Sequence, residues 1–404
     1  MKKLNVVVIG AGNRGSIYSQ YSKDENGKNQ IHIIGVCEPN SKRRENFCKE
    51  FSITENIFNS YEEFFKSKHE MCNAVFICTQ DNDHLQPLLK SIEYGYHILV
   101  EKPVITNLND YHKLVKALEN NTSSKIMIAH VLRYTQFFKS LKNCIETKEI
   151  GSIRSITHFE DIGFFHFAHS YVRGNWKSSL SSSPIILAKC CHDLDLFNWL
   201  MNSTPLEVSS YGELNYFTSS FAPKNSSQKC FDCIYKDDCV FSAFKLYHEE
   251  NKWTQKTTIE QYNSALEMIK QSNYGECVYT NTNNVPDYMS THLIYPKNIH
   301  IQFEMNALSK EITRKMRIFG SLGEIEGDFY ENKIIIKRFW GKDEEIIVNS
   351  GLSGHGGGDF RCVEAFVKLV NDAIQVDIFE VLKSHYIALK IEESRVNKNR
   401  KIKL

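Results

Sequence analysis

Three glycines set the first chemistry open to this chain. Gly10, Gly12 and Gly15 break an apolar run, Leu4 to Ile9, in the pattern Gly-x-Gly-x-x-Gly. Such a turn suits a dinucleotide: the first glycine makes the tight turn, the second lets the backbone approach a pyrophosphate, and the third lets the next helix pack closely. Asn13 and Arg14 open that helix, whose free N–H groups and positive dipole end would face the phosphates. A second strand, Ile31–Cys37, leads to Glu38. An acidic side chain there accepts hydrogen bonds from the adenine ribose and favours NAD. Arg43 and Arg44 follow closely and would suit a 2′-phosphate, which leaves NADP open.

Other residues suit a reacting substrate. Val100-Glu101-Lys102-Pro103 stands at a strand end, on the carboxyl edge where doubly wound sheets bind ligands. Lys102 there can orient a hydroxyl and tune a proton relay, while Glu101 can hold the lysine or the nicotinamide. The run His169 to Trp176 joins donors, Arg173 among them, to an aromatic face fit for a sugar ring, Trp176. His355-Gly356-Gly357-Gly358-Asp359 presents a histidine and an aspartate on a glycine turn before a helix, with Asp359 suited to an N-cap. Cys230-x-x-Cys233-x5-Cys239 gathers three thiols in a polar stretch; with Cys191, or as the second choice Cys190, they would make a four-thiolate zinc site, closed and therefore structural.

These residues need a scaffold. Strands expected near 5–9, 31–37, 57–58, 73–78, 97–100 and 126–130 alternate with helices, which argues a parallel, doubly wound sheet. After Arg133 and a helix to about Lys148 the texture changes to period-two strands at Ile153–Glu160, Val208–Phe217, His292–Met305, Lys315–Phe319, Gly323–Phe329 and Lys333–Phe339, as in a mostly antiparallel sheet. A helix at about Ala188–Leu200 interrupts them, and helices near 360–372 and 384–398 close the chain. The expected organisation is a nucleotide-binding Rossmann domain, 1–130, and an α+β domain, 131–404, for substrate and oligomer contacts. Residues 218–290, polar and irregular with one helix near 257–271, read as an insertion in the second domain.

Composition narrows the rest. The chain has 404 residues, 42% hydrophobic and 24% charged, which fits a globular protein with ample core. A net charge of +1 gives no field for steering onto nucleic acid or an acidic membrane. No apolar run is long enough to span a bilayer, and the one after Lys3 is shorter than a signal-peptide core, so a cytoplasmic location is expected.

In this order, Gly10-x-Gly12-x-x-Gly15, Cys78-Thr79-Gln80-x-x-x-His84, Glu101-Lys102-Pro103 and His130-x-x-Arg133-Tyr134 resemble the motifs of the glucose-fructose oxidoreductase, inositol dehydrogenase and rhizopine catabolism (Gfo/Idh/MocA) family. The similarity runs on to the helix from Ser384-His385 to Arg395. It implies a Rossmann domain with an open antiparallel sheet domain, NAD or NADP, dimers or tetramers, and hydride transfer on sugars or polyols. It also implies cofactor contacts at Thr79, His84, Glu101 and Lys102, and substrate contacts at His130, Arg133 and Tyr134.

Family members carry an Asp and a His four residues apart on one helix face. His192 matches the histidine, while Ala188 stands where the aspartate is expected. His192 is then the best general base, since imidazole titrates near neutral pH. Lys189 or Lys102 would add positive charge beside it, and Asp195 is a further substrate contact. The leading expectation is an NAD(P)-dependent dehydrogenase of a sugar, polyol or glycoside. The alternatives are a glycosidase or lyase that oxidises, eliminates and re-reduces with recycled cofactor, and a non-catalytic NAD(P)-binding regulator.

Overall fold

The computed structural model describes residues 3–67, 72–121, 123–250, 262, 264–280, 282–350 and 355–404. They form two compact units: Met1–Thr135 with Gly351–Tyr386, and Gln136–Ser350 with Ile387–Leu404.

The first unit is built on β1 (Leu4–Ile9), β2 (Ile31–Cys37), β3 (Ile57–Phe58), β4 (Ala74–Ile77), β5 (His97–Val100) and β6 (Ile126–Ile128). They lie in the order β3-β2-β1-β4-β5-β6, every pair parallel. That is the doubly wound order in which the crevice opens outside the carboxyl ends of β1 and β4. Buried on both faces, β1 and β4 are almost wholly apolar, as a central parallel strand must be. Helices α1 (Asn13–Gln20), α2 (Ser41–Phe51), α3 (Tyr61–Lys66), α4 (Leu85–Glu93) and α5 (Leu108–Glu119) make the crossovers. Asn40, Ser60 and Asn107 cap α2, α3 and α5 with side-chain oxygens, satisfying donors that have no partner inside the helix.

A split of the chain at 130/131 leaves the segment 351–386 with the second domain, whereas the structure puts it in the first unit. The reason is apolar: Cys362, Val363, Ala365, Phe366, Val367 and Leu369 join the same core as Val6, Val8, Phe76 and Met127.

In the second unit, α6 (Gln136–Glu146) is followed by β7 (Ile153–Asp161), α7 (Phe164–Phe167), α8 (Ile185–Ala188), α9 (Cys191–Met201) and β8 (Glu207–Glu213). Then come α10 (Ala265–Gln271), β9 (Tyr288–Tyr295), β10 (Ile299–Asn306), β11 (Thr313–Gly320), β12 (Gly323–Asp328), β13 (Lys333–Arg338) and β14 (Glu344–Ile347). After α11 (Gly358–Val370) of the first unit and α12 (Ile378–Val396), β15 (Ile402–Lys403) completes a nine-stranded sheet, β14-β13-β12-β11-β7-β10-β9-β8-β15. Among the described residues of this sheet, only β7 and β10 pair in parallel.

Two expected elements divide. The strand expected over His292–Met305 is a hairpin, because Lys297 and Asn298 adopt positive φ (64° and 55°) after Pro296 and turn β9 back into β10. The helix expected over Ala188–Leu200 breaks at Lys189 and Cys190, between α8 and α9. Of the helix expected near 257–271, residues 257–261 and 263 lie outside the described residues, and Ala265–Gln271 form α10, capped by Ser264. No helix among the described residues is long and apolar enough to cross a membrane.

Candidate functional site

At the crevice edge of the first unit, the three glycines do three different jobs. Gly10 has φ 96°, and a Cβ there would lie 2.5 Å from the carbonyl oxygen of Cys78, so only glycine makes this turn. At Gly15 a Cβ would lie 2.2 Å from the carbonyl oxygen of Gly10, which is how close α1 comes to its strand. Gly12 has nothing within 4 Å of its ideal Cβ. Its backbone therefore faces open space at the start of α1, as a cradle for a pyrophosphate should. Thr79, at the carboxyl end of β4 behind this turn, keeps its Oγ1 buried without a hydrogen bond.

Glu38 is buried beyond β2. Its Oε2 accepts from the Ala11 N–H at 3.0 Å, and its Oε1 from the Asn40 N–H at 3.0 Å and Arg43 Nη1 at 3.3 Å. Arg43 is thus tied to the carboxylate, and Arg44 Nη1 donates to the Glu38 carbonyl oxygen. A carboxylate fixed at this point suits ribose hydroxyls and opposes a 2′-phosphate. Together with the open Gly12, these residues fit NAD.

Arg14 turns inward from α1. Its Nε donates to Glu101 at 2.6 Å and its Nη2 to Asp359 at 2.6 Å, while the Tyr18 hydroxyl donates to the same Glu101 oxygen. Burial would raise both carboxyls, but the Arg14 guanidinium holds each below the usual carboxylate range, Asp359 far below. Asp359 therefore serves as Arg14's counter-charge, with His355 Nδ1 3.1 Å away, and the cap of α11 is Gly357. The second Glu101 oxygen accepts the Lys102 N–H at 2.9 Å, which fixes the turn that presents the lysine.

Behind that turn sit three buried histidines. His84 ring nitrogens lie 2.7 Å from the Pro103 carbonyl and 3.1 Å from the Thr79 carbonyl, joining the loops after β4 and β5. His385 Nε2 accepts the Val104 N–H at 3.1 Å, and Ser384 Oγ lies 3.3 Å from His130 Nε2. Burial first, then Arg133 and Lys102 at His130, and His130 followed by Lys102 at His385, holds both imidazoles well below the usual value, which favours their neutral forms. Of the expected substrate contacts in this unit, His130 is buried, Arg133 pairs with Glu380 at 3.1 Å, and the Tyr134 hydroxyl points at Met127 sulfur.

The second unit carries His192 in the first turn of α9, 5% exposed. The residue after it anchors the helix: Asp193 Oδ1 lies 2.8 Å from His158 Nε2 and takes Arg314 Nε at 2.7 Å. Arg314 also reaches Glu160 at 2.8 Å, and Glu160 meets Lys189 at 3.1 Å. His158 and Glu160 alternate on one face of β7, and Arg314 stands opposite Glu160 on β11. Burial opposes the charge on Asp193, but Arg314 and His158 hold it well below its ordinary value. This buried network fixes Lys189, in the α8–α9 break, and Asp193, in the first turn after it.

Sequence reasoning missed His158, Glu160, Arg314 and Tyr18. The signal was present in β7, where His158 and Glu160 share the inward parity with Ile156. Asp195 and Ala188 are buried, and with the helix broken Ala188 and His192 do not share one helix face. Arg173 is wholly buried inside the insertion, and Trp176 packs beside Tyr171 at a 6.2 Å ring separation. Cys191 does not belong with Cys230, Cys233 and Cys239; the fourth thiol beside those three is Cys277. Among the described residues no three His, Cys, Asp or Glu side chains stand ready as a metal-ligand set.

Residues 4–130 match the family model of the Gfo/Idh/MocA oxidoreductases described as an NAD-binding Rossmann fold, and residues 142–338 match that family's C-terminal alpha/beta domain. The chain belongs to this family. Its relatives include a protein named as an oxidoreductase, YteT of Bacillus subtilis, 24% identical over 88% of this chain and 86% of that protein. Another is 2,7-anhydro-N-acetylneuraminate hydratase of Mediterraneibacter gnavus, 22% identical over 52% of this chain and 53% of its own length. Among solved structures of the fold, myo-inositol 2-dehydrogenase from Lactobacillus plantarum superposes with a TM-score of 0.68 at 14% identity, covering 100% of both chains. An Agrobacterium radiobacter oxidoreductase crystallised with NAD+, L-tartaric acid and magnesium gives 0.71 at 14% identity, over 100% of this chain and 98% of that one.

Proposed function

We propose that this protein is an NAD-dependent dehydrogenase that moves hydride between the nicotinamide and a hydroxyl-bearing carbon of a sugar, polyol or glycoside. The observation that carries the reading is the glycine turn, where Gly12 faces open space between two glycines that the protein itself needs. Gly10 to Gly15 and the first N–H groups of α1 would hold the pyrophosphate, and Glu38 the adenine ribose. Bound NAD supplies the hydride acceptor. His192 accepts the substrate hydroxyl proton as the carbon is oxidised, and Asp193 holds its helix in place through His158 and Arg314. Lys102, presented by the Glu101 turn, orients a substrate oxygen. The test is to incubate the protein with NAD and a panel of sugars and polyols: reduced nicotinamide should form in step with substrate consumed. No turnover with any hydroxylated substrate, despite tight NAD binding, would leave only a regulator.

A second reading draws on Ala188 and on the hydratase among the relatives. In it the ketone formed by oxidation acidifies the neighbouring C–H, a glycosidic or ether oxygen leaves by elimination, water adds, and the hydride returns. Cleaved product without net reduced nicotinamide selects this reading over the first.

A further inference from the structure

The insertion of the second unit holds a group that hydride transfer does not use. Cys230, Cys233, Cys239 and Cys277 line a single cavity of about 20 Å³ together with Arg173 and Lys236. That space is close to the size of one small particle.

Two segments deliver the thiols. In the first, the Cys233 N–H donates to the Cys230 carbonyl, the Cys239 N–H to that of Tyr235, and the Ser242 N–H to that of Cys239, so the chain turns back on itself at each cysteine. In the second, Lys229 bridges Glu276, and the Cys277 N–H donates to the Gln228 carbonyl at 2.8 Å, which sets Cys277 beside Cys230. Arg173 fastens both: its Nε donates to the Glu276 carbonyl and its Nη2 to the Phe241 carbonyl, each at 2.7 Å.

Charge makes the cluster more than a packed loop. Arg173 is fully buried, its bonded oxygens are neutral carbonyls, and its Nη1 is buried without a hydrogen bond. Among the described residues, no Asp or Glu lines the cavity. A desolvated cation needs a counter-anion close by, and Cys230 Sγ lies 3.6 Å from Arg173 Nη2. Four thiolates around one divalent ion carry a net charge of −2, which matches the two cations, Arg173 and Lys236, on the cavity wall.

We propose that Cys230, Cys233, Cys239 and Cys277 bind one zinc ion as a structural four-thiolate centre, with Arg173 as its buried counter-charge. Cys230 and Cys233 form the Cys-x-x-Cys knuckle such centres use. Binding replaces four S–H protons, released to solvent, with four Zn–S bonds. Since the sulfurs do not stand at ligand spacing as placed, they draw inward around the ion. The centre also suits the insertion energetically. The buried cluster of Cys230, Ala243, Leu246, Tyr247, Met268 and Ile269 is a small core, of the kind that a metal commonly reinforces.

The experiment is elemental analysis of full-length protein expressed with zinc in the medium, beside Cys277→Ser, Cys233→Ser and Cys191→Ser. The expected result is about one zinc per chain in the parent and in Cys191→Ser, with most of it lost from the other two. A parent free of zinc, or a Cys191→Ser variant that loses zinc while Cys277→Ser keeps it, overturns the assignment. Because the serine variants can also fail to fold, the parent is in addition stripped with a chelator and reloaded with cobalt. Intense tetrahedral d–d bands with thiolate-to-cobalt charge transfer support the centre, and their absence overturns it. A disulfide between any two of the four in the non-reduced parent overturns it as well.

Discussion

Arg14 and Asp359 are separated by 345 positions in sequence and form an ion pair of 2.6 Å inside the first unit. The pair joins the first turn of the nucleotide-binding helix to the helix that returns from the far end of the chain. Glu101 shares the same guanidinium, so the base of the glycine turn, the lysine turn and α11 meet at one cation.

Asp359→Asn should therefore destabilise the first unit. Breaking a buried pair costs about 3–5 kcal/mol, and because Arg14 is 24% exposed the lower end is expected, about 3 kcal/mol. Asp359 is held below its unfolded value, so it contributes stability above the ordinary aspartate range that is lost as pH falls through its folded pKa. Urea denaturation at neutral and acid pH should show the asparagine variant less stable at neutrality and less sensitive to acid; equal curves for the two proteins would refute this.

The glycines separate folding from binding. Gly12→Ala meets no protein atom and should leave the melting temperature unchanged while weakening NAD binding at least ~10-fold, a loss of about 1.4 kcal/mol. Gly15→Ala, facing a backbone oxygen at 2.2 Å, should lower the melting temperature with or without cofactor. Calorimetry and fluorescence titration on the two variants check this, and a Gly12→Ala variant that melts early would contradict the cradle.

Cofactor choice rests on Glu38. Glu38→Gln removes the charge that repels a 2′-phosphate and releases Arg43 from its 3.3 Å pair. The NAD-to-NADP preference should fall by ~10-fold or more, on the scale of a charge-assisted hydrogen bond of about 1.5–3 kcal/mol. Titration with both nucleotides reads the ratio; an unchanged ratio removes Glu38 from the selection.

His192→Ala should lower kcat by about 10²–10⁴-fold, the usual worth of a positioned general base, and leave the NAD dissociation constant within a factor of ~2. A variant that retains most of its kcat would move the proton transfer elsewhere. Glu160→Gln tests the support beneath: Lys189 loses its buried partner, and the pH profile of kcat should shift while NAD affinity holds.

The neutral histidines predict acid sensitivity. His130 and His385 are held below their unfolded values, so their contribution is present above about pH 6.5 and is lost as pH falls through the folded values. His385→Gln should flatten the fall in stability below pH 6. Melting curves across that range decide it.

Much of the first unit was legible because its strands carry period and punctuation together: apolar β1, the three glycines, then Glu38 after β2. The site was less so. Asp359 reads locally as a cap, and only the fold brings it to Arg14. Glu160, His158 and Arg314 are single polar residues on strands, and a strand's parity marks them as inward without naming their partner. The break at Lys189 and Cys190 has no proline or glycine to announce it. Cys277, nearly forty positions beyond Cys239, lies too far along the chain for spacing to associate it with the other three.

The path of the chain through the first unit also sets an order of assembly. Residues 136–350 leave the ribosome with every strand of their sheet except β15, whereas the nucleotide-binding unit, begun at Leu4, lacks the apolar side chains of α11 until more than 360 residues have been made. The part begun first is among the last to be finished. Until then its core stays open on one side, and the nascent nucleotide-binding unit exposes apolar surface that α11 later covers.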